Sequence, residues 1–188
     1  FRSDAGVWLV RTGEVDLFLV PRDTTGGPKE GAERIKKREA MEKNLAAKLA
    51  ANPKLARLAK QVRLVDTTEG IRIDLVDDAD FSMIQLGTTV LTPDAAGLLK
   101  AIAEMMIGEL GGISIRGHTD ALPYNGGIGA NNWSLSAGRA ESTRQALIGR
   151  GIGETRFRKV EGVADREPLI QDKPQDPRNR RISILLMR

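Results

Sequence analysis

The sequence predicts a two-layer α/β (α+β) sandwich, one mixed sheet with its helices packed on one face. Three stretches carry that expectation. Residues 63–76 alternate, with Ile71, Ile73 and Leu75 set between Arg72, Asp74 and Val76 after a turn at 67–70, as a hairpin with one buried face would. A helical stretch entered at Thr92 is followed by Gly111-Gly112 and the strand Ile113-Ser114-Ile115-Arg116-Gly117. That strand, helix, strand order predicts parallel strands joined by a right-handed crossover. A further helix over 135–149 then precedes two strands, near 156–162 and 182–187.

Bulk composition sets the outer limits. At 40% hydrophobic and 29% charged over 188 residues, the chain has the makeup of a folded domain, with room for one core plus an appendage. Lys and Arg (29) exceed Asp and Glu (25) by 4, and a pI near 9.6 suits an anionic partner without choosing one. With no cysteine there is no disulfide or thiolate chemistry, and a lone histidine excludes a zinc site needing two. No stretch reaches the ~18–20 apolar residues of a membrane span. Because the chain opens on Phe1, a targeting segment is expected upstream.

Taken in order, residues 1–28 read as a hairpin-like segment, GVWLV and VDLFLV around a turn, to which no function is assigned. An isolated hairpin is marginal in water, so Trp8 and Phe18 need cover from this chain or another. Residues 29–60 read as amphipathic linker helices. Ile35, Met41, Leu45 and Leu49 form a narrow apolar stripe that packs on the domain, pairs with a second copy or stays solvated, and Pro53 ends the first helix. The acidic run Asp77, Asp78, Asp80 lacks EF-hand spacing and reads as a solvated loop. Thr92-Pro93-Asp94 is a helix start: capping hydroxyl, proline at the first position, acid near the dipole's positive end. Leu98, Leu99, Ile102, Met105, Met106 and Leu110 form that helix's core face, the methionines as core filler. In the helix over 135–149, Leu135, Ala140, Thr143 and Leu147 face inward. The glycines at 149–153 cap it, since a dinucleotide fingerprint must follow a strand, and Gly126, Gly127 and Gly129 lack the Lys-Ser/Thr of a P-loop.

The chemistry concentrates at 113–140, where a strand breaks into a polar loop and order resumes in a helix. His118, Thr119, Asp120 and Asn132 lie on the loop, Ser136 and Arg139 on the first turns of the helix. A carboxylate and a guanidinium in such a cleft either pair with each other, tying loop to helix, or bind a zwitterion, the carboxylate taking its ammonium and the guanidinium its carboxylate. An enzyme would need paired carboxylates, a metal or an activated nucleophile, for which this composition leaves little, and 4% aromatics gives a nucleic-acid binder few stacking platforms.

Three motifs add a resemblance. Gly117-His118-Thr119-Asp120, residues 132–140 (NWSLSAGRA) and Asn179-Arg180-Arg181 before the last strand resemble the motif set of OmpA-like peptidoglycan-binding domains. The resemblance assigns residues 61–188 to such a domain. Within the family, residues 158–170 (RKVEGVADREPLI) and 176–184 (DPRNRRISI) are most similar to the periplasmic domains of the MotB family of flagellar stator proteins. Residues 82–87 depart from that branch by lacking Phe-Pro after the methionine, and residues 121–131 carry extra glycines.

The resemblance implies a non-catalytic wall anchor of the flagellar stator that recognises diaminopimelate in peptidoglycan stem peptides. The alternative is an outer-membrane or lipoprotein anchor unrelated to motility. Asp120 and Arg139 would hold the ligand, Asn132 would add an amide hydrogen bond, Thr119 and Leu135 would line the pocket, and Arg180 would touch ligand. His118, Asn179 and Arg181 would support the loop structurally. No cofactor and no metal are implied. The implied partners are peptidoglycan, a second copy of the chain and a MotA-like membrane subunit reached through a missing N-terminal region, with no nucleic acid. The implied location is the periplasmic domain of a protein anchored in the bacterial inner membrane.

Overall fold

A computed structural model describes residues 28–85, 87–124 and 130–188. The expected N-terminal hairpin, apart from Pro28, lies outside the described residues, as do Leu86 and the loop glycines 126, 127 and 129. The elements run α1 (Pro28–Ala50), α2 (Pro53–Ala56), β1 (Val62–Thr67), β2 (Gly70–Val76), α3 (Pro93–Met106), β3 (Ile113–His118), α4 (Asn132–Ile148), β4 (Phe157–Gly162) and β5 (Arg181–Met187).

The sheet has five strands in the order β1-β2-β5-β3-β4. β1 and β2 form the expected hairpin, and β3 pairs in parallel with β4 across α4. β2 and β3 point the same way, as the crossover argument requires, but they are not neighbours. The C-terminal strand β5 inserts between them, antiparallel to both. Five to seven residues of alternating pattern identify a strand without identifying its partner, and here the last strand completes the middle of the sheet.

One face of the sheet presents Ile71, Ile73, Leu75, Ile113, Ile115, Ile182, Ile184 and Leu186 to a single core with the helices, so the expected two layers form. α3 starts as its sequence dictates: the Thr92 hydroxyl accepts from the Ala95 N–H at 3.2 Å, Pro93 follows, and Asp94 sits in the first turn. Its buried face is Leu98, Leu99, Ile102, Met105 and Met106. Leu110 differs from expectation: the helix ends at Met106, and Leu110 stands 90% exposed in the turn that leads to Gly111. In α1 the stripe Met41, Leu45, Leu49 enters the chain's own core while Ile35, a turn and a half earlier, is half-exposed. No helix among the described residues is long and apolar enough to cross a membrane.

On the opposite face of the sheet no helix packs among the described residues, and the face is charged. Row by row it carries Arg63, Asp74, Ser183, Arg116 and Glu161 from five neighbouring strands, then Arg72 and Lys159 in the adjacent row.

Candidate functional site

Two glycines bring the loop after β3 under the start of α4. A Cβ on Gly117 would lie 2.1 Å from the Ser136 carbonyl oxygen, and one on Gly162 would lie 2.3 Å from the Ala137 nitrogen, so β3 and β4 touch the helix backbone directly. The buried Ser136 hydroxyl locks that contact, accepting from the Ala164 N–H at 3.0 Å and donating to the Trp133 carbonyl at 3.0 Å. α4 begins one turn earlier than its apolar pattern suggests, because Asn131 and Ser134 form a reciprocal capping box.

The site residues sort by what they touch. Asp120 is 6% exposed; one carboxylate oxygen accepts from the Leu122 N–H at 3.2 Å and the other from Arg180 Nη1 at 2.7 Å. Asn132 spends its amide on the loop, donating to the carbonyls of Leu122 (3.0 Å) and Asp120 (3.3 Å). Thr119 and Leu135 are buried, and the Thr119 hydroxyl has no hydrogen-bond partner among the described residues. Asn179 is fully buried and pins residues 170–174: its side-chain oxygen accepts from the Ile170 N–H at 2.7 Å and its amide donates to Lys173 and Pro174. Pro174 in turn accepts from the Ala121 N–H, so Asn179 fixes the far wall of the Asp120 loop.

Arg139 is the anomaly. It is 5% exposed, yet no carboxylate oxygen lies within ion-pair distance of it among the described residues, and its one hydrogen bond is a long one, 3.5 Å, from Nε to the Thr88 carbonyl. Burial pulls its guanidinium below the usual range, while Asp77 and Asp120 act on it through space to favour the charge. The turn that carries Thr88 is strapped to the Asp120 loop by the Tyr124 hydroxyl, which donates to the Gly87 carbonyl at 2.8 Å.

Asp77 joins this group, and sequence reasoning missed it. Expected in a solvated acidic loop, it is 3% exposed and accepts from the Met83 N–H (2.8 Å), the Ser82 hydroxyl (2.8 Å) and Arg180 Nε (3.1 Å). Burial pushes its carboxyl above the ordinary range, against the pull of those donors. A signal was present. Ile71, Ile73 and Leu75 face the core, and the same period of two carries Asp77 inward, as it carries Arg180 inward from Ile182 and Ile184. Asp78 does behave as a loop residue, its carboxylate accepting from the N–H groups of Asp80 and Phe81.

The site is thus two carboxylates, Asp77 and Asp120, and two guanidiniums, Arg139 and Arg180, balanced in charge and largely out of water. Among the described residues, a cavity of about 10 Å³ lies beside Asp77, Arg139 and Arg180. His118 and Arg181, register partners on β3 and β5, point to the other, charged face of the sheet, as does Ser183 in the neighbouring row opposite Arg116. His118 is 2% exposed, with Nε2 3.4 Å from the Ser183 hydroxyl and Nδ1 without a partner. Its burial, then the positive charges of Arg181, Arg116 and Arg72, lower its pKa to about 3, so the ring is neutral at any physiological pH.

A larger groove, about 490 Å³, runs over that face, and several of its charges pair among themselves; Arg181, which also lines it, has no ion pair among the described residues and a buried Nη1 without a hydrogen-bond partner. Arg116 meets Glu161 and Glu167 at 3.1 Å each, Lys159 meets Glu161 at 2.7 Å, and Arg72 meets Asp74 at 3.0 Å. No cluster of three or more potential metal ligands occurs among the described residues.

Comparison with known proteins adds an independent line. Residues 85–181 match the model of the OmpA family. The chain is 35% identical over 164 residues to Motility protein B of Escherichia coli (strain K12), covering 82% of this chain and 53% of that protein, so it spans about half the length of that relative. Among solved structures, a putative MotB-like protein from Desulfovibrio vulgaris superposes with a TM-score of 0.66 at 21% identity, covering 84% of this chain and 98% of that one. The cell wall anchor of the T6SS from Pseudomonas aeruginosa superposes with a TM-score of 0.61 at 26% identity, covering 76% of this chain and 96% of that one.

Proposed function

From the premise that this chain belongs to the OmpA family, we propose that it is a non-catalytic peptidoglycan-binding domain that anchors a flagellar stator of the MotB kind to the cell wall. The ligand is the zwitterionic end of diaminopimelate in a stem peptide. Arg139 takes its carboxylate as a bidentate fork, and Asp120 takes its ammonium. Thr119, Leu135 and Asn132 shape the pocket around them.

One observation supports this reading above the rest: a guanidinium that is 5% exposed with no carboxylate of its own within ion-pair distance among the described residues. A buried charge is costly unless paired, so an incoming carboxylate gains more at Arg139 than at an exposed arginine. A zwitterion also leaves the charge balance of the cluster unchanged. For access, the Thr88 turn must lift from Arg139, which breaks the Tyr124 to Gly87 hydrogen bond, the long contact to Thr88 and the packing of Thr89 on Gly138.

In the whole protein this anchoring implies a periplasmic position, an inner-membrane segment upstream, a MotA-like partner there and a second copy of the chain. The stripe Met41, Leu45, Leu49 is spent on the chain's own core, so the surface for that copy is sought elsewhere, and several anchored copies on one wall would add avidity.

The test is a titration against peptidoglycan with diaminopimelate in its stems beside peptidoglycan with lysine there, which lacks the second carboxylate. Asp120→Ala and Arg139→Ala, each confirmed folded, are expected to weaken binding to the first about ten- to a hundred-fold, the worth of a charged hydrogen bond of about 1.5–3 kcal/mol. Equal binding to both walls, or unaltered binding by both variants, sinks the pocket. Release of soluble muropeptides from intact sacculi would overturn the non-catalytic assignment.

A further inference from the structure

Resting on the zwitterion reading above, we propose that Arg180 is an internal competitor of the ligand and not its contact: its guanidinium occupies Asp120 in place of the ligand's ammonium, and Asp77 retains it when the ammonium arrives.

The geometry of Arg180 is that of a shared cation. Nη1 lies 2.7 Å from Asp120 and Nε 3.1 Å from Asp77, two different edges of one planar group reaching two carboxylates. The two carboxylates are anchored differently. Asp77 is tied to Arg180 through the backbone, its N–H donating to the Arg180 carbonyl at 3.0 Å where β2 meets β5, and its side chain is held by Met83 and Ser82. Asp120 reaches Arg180 from the loop beyond β3; among the described residues its carboxylate has one other donor, the N–H of Leu122, and its carbonyl accepts from Asn132. Displacement therefore breaks the Asp120 side of the bridge and leaves the Asp77 side intact.

The zwitterion site thus has unequal halves. Its cation, Arg139, lacks a carboxylate, whereas its anion, Asp120, already holds the strongest donor a carboxylate meets in a protein. An incoming ammonium gains the Asp120 oxygen that faces Arg180 by displacing Nη1 from it. The cost is moderate because Arg180 keeps a buried carboxylate, Asp77, at 3.1 Å. Asp77 is then a positioning residue that lowers the barrier to exchange, and the affinity for ammonium depends on a residue the ligand never touches.

The experiment titrates free meso-diaminopimelate into the folded chain by isothermal calorimetry, for the parent and for Arg180→Gln, Asp77→Asn, the double variant, Asp120→Asn and Arg139→Gln. Arg180→Gln is expected to bind at least about five-fold tighter and Asp77→Asn about five-fold weaker, while in the Arg180→Gln background Asp77→Asn changes affinity less than about two-fold, the signature of a residue acting through another. The double variant removes one charge of each sign, so it keeps the test open if Arg180→Gln alone fails to fold. It is expected to bind at least as tightly as the parent. Arg180→Gln binding as weakly as Asp120→Asn, or unchanged, makes Arg180 a contact or a bystander and overturns the proposal. So does an Asp77→Asn loss that persists without Arg180. Parent-like binding by Asp120→Asn and Arg139→Gln sinks the wall-pocket reading itself, a distinct result.

Discussion

Two charged regions lie on opposite sides of strands β3 and β5, and they hold their charges in different ways. On the bare face of the sheet, Arg116, Lys159, Glu161 and Glu167 pair within a wide groove where water reaches most of them. At the mouth of α4, Asp77, Asp120, Arg139 and Arg180 crowd together around a cavity of about 10 Å³, and among the described residues Arg139 has no ion-pair partner. Exposed pairs of the first kind are worth about 0–1 kcal/mol each, because solvent screens them and long side chains lose entropy in holding them. Buried groups of the second kind are costly when mismatched. The two regions therefore differ in how completely their charges are screened, with Arg139 on one side and Arg181 on the other left without an ion pair among the described residues.

His118 belongs to the bare face and gives the largest test of this contrast. Its folded pKa, about 3, lies below its unfolded value of 6.5, so the unfolded chain binds the proton first and stability falls as pH drops from 6.5 toward 3. Above pH 6.5 the full benefit is present. The loss approaches about 5 kcal/mol over that window, at 1.36 kcal/mol per unit. Denaturant unfolding followed against pH is expected to show that slope, and a folded His118→Gln variant to lose it. A flat profile in the parent would mean that the bare face is as permissive toward charge as any exposed surface.

A smaller effect sharpens the mouth side of the contrast. Arg139→Lys is expected to weaken wall binding nearly as much as Arg139→Ala, about 1.5–3 kcal/mol, because a point charge does not reproduce the two-pronged fork. Full retention by the lysine variant in the same titration would show that charge alone matters at that position.

The smallest effect checks the face. Arg116→Gln breaks two ion pairs of partly exposed groups and is expected to cost less than about 1 kcal/mol of stability and nothing in wall binding. A marked binding defect in that variant would erase the distinction between the two regions.

Much of the architecture was legible because it is local. Thr92-Pro93-Asp94 starts α3 wherever it stands, since hydroxyl, proline and acid each act within one helical turn. Alternation at 71–75, 113–117 and 182–186 chose the buried face of each strand. The motif residues were legible as a set, and they do gather around the mouth of α4, apart from His118 and Arg181 on the far side of the sheet. Leu110 was misplaced because a helical period was carried past the point where the helix stops.

What the sequence by itself determined, then, were the elements, their inward faces and the neighbourhood of Asp120 and Arg139, all of which depend on residues a few positions apart. Only the tertiary structure decided the partners. Asp77 and Arg180 are 103 positions apart and meet because β5 inserts beside β2; Asp120 and Arg180 are 60 apart and meet because β5 also pairs with β3. A carboxylate's neighbours in the chain say it is acidic and near a turn, but whether it is solvated or buried against a guanidinium depends on which strand closes the sheet, and that is settled by the packing of the whole core.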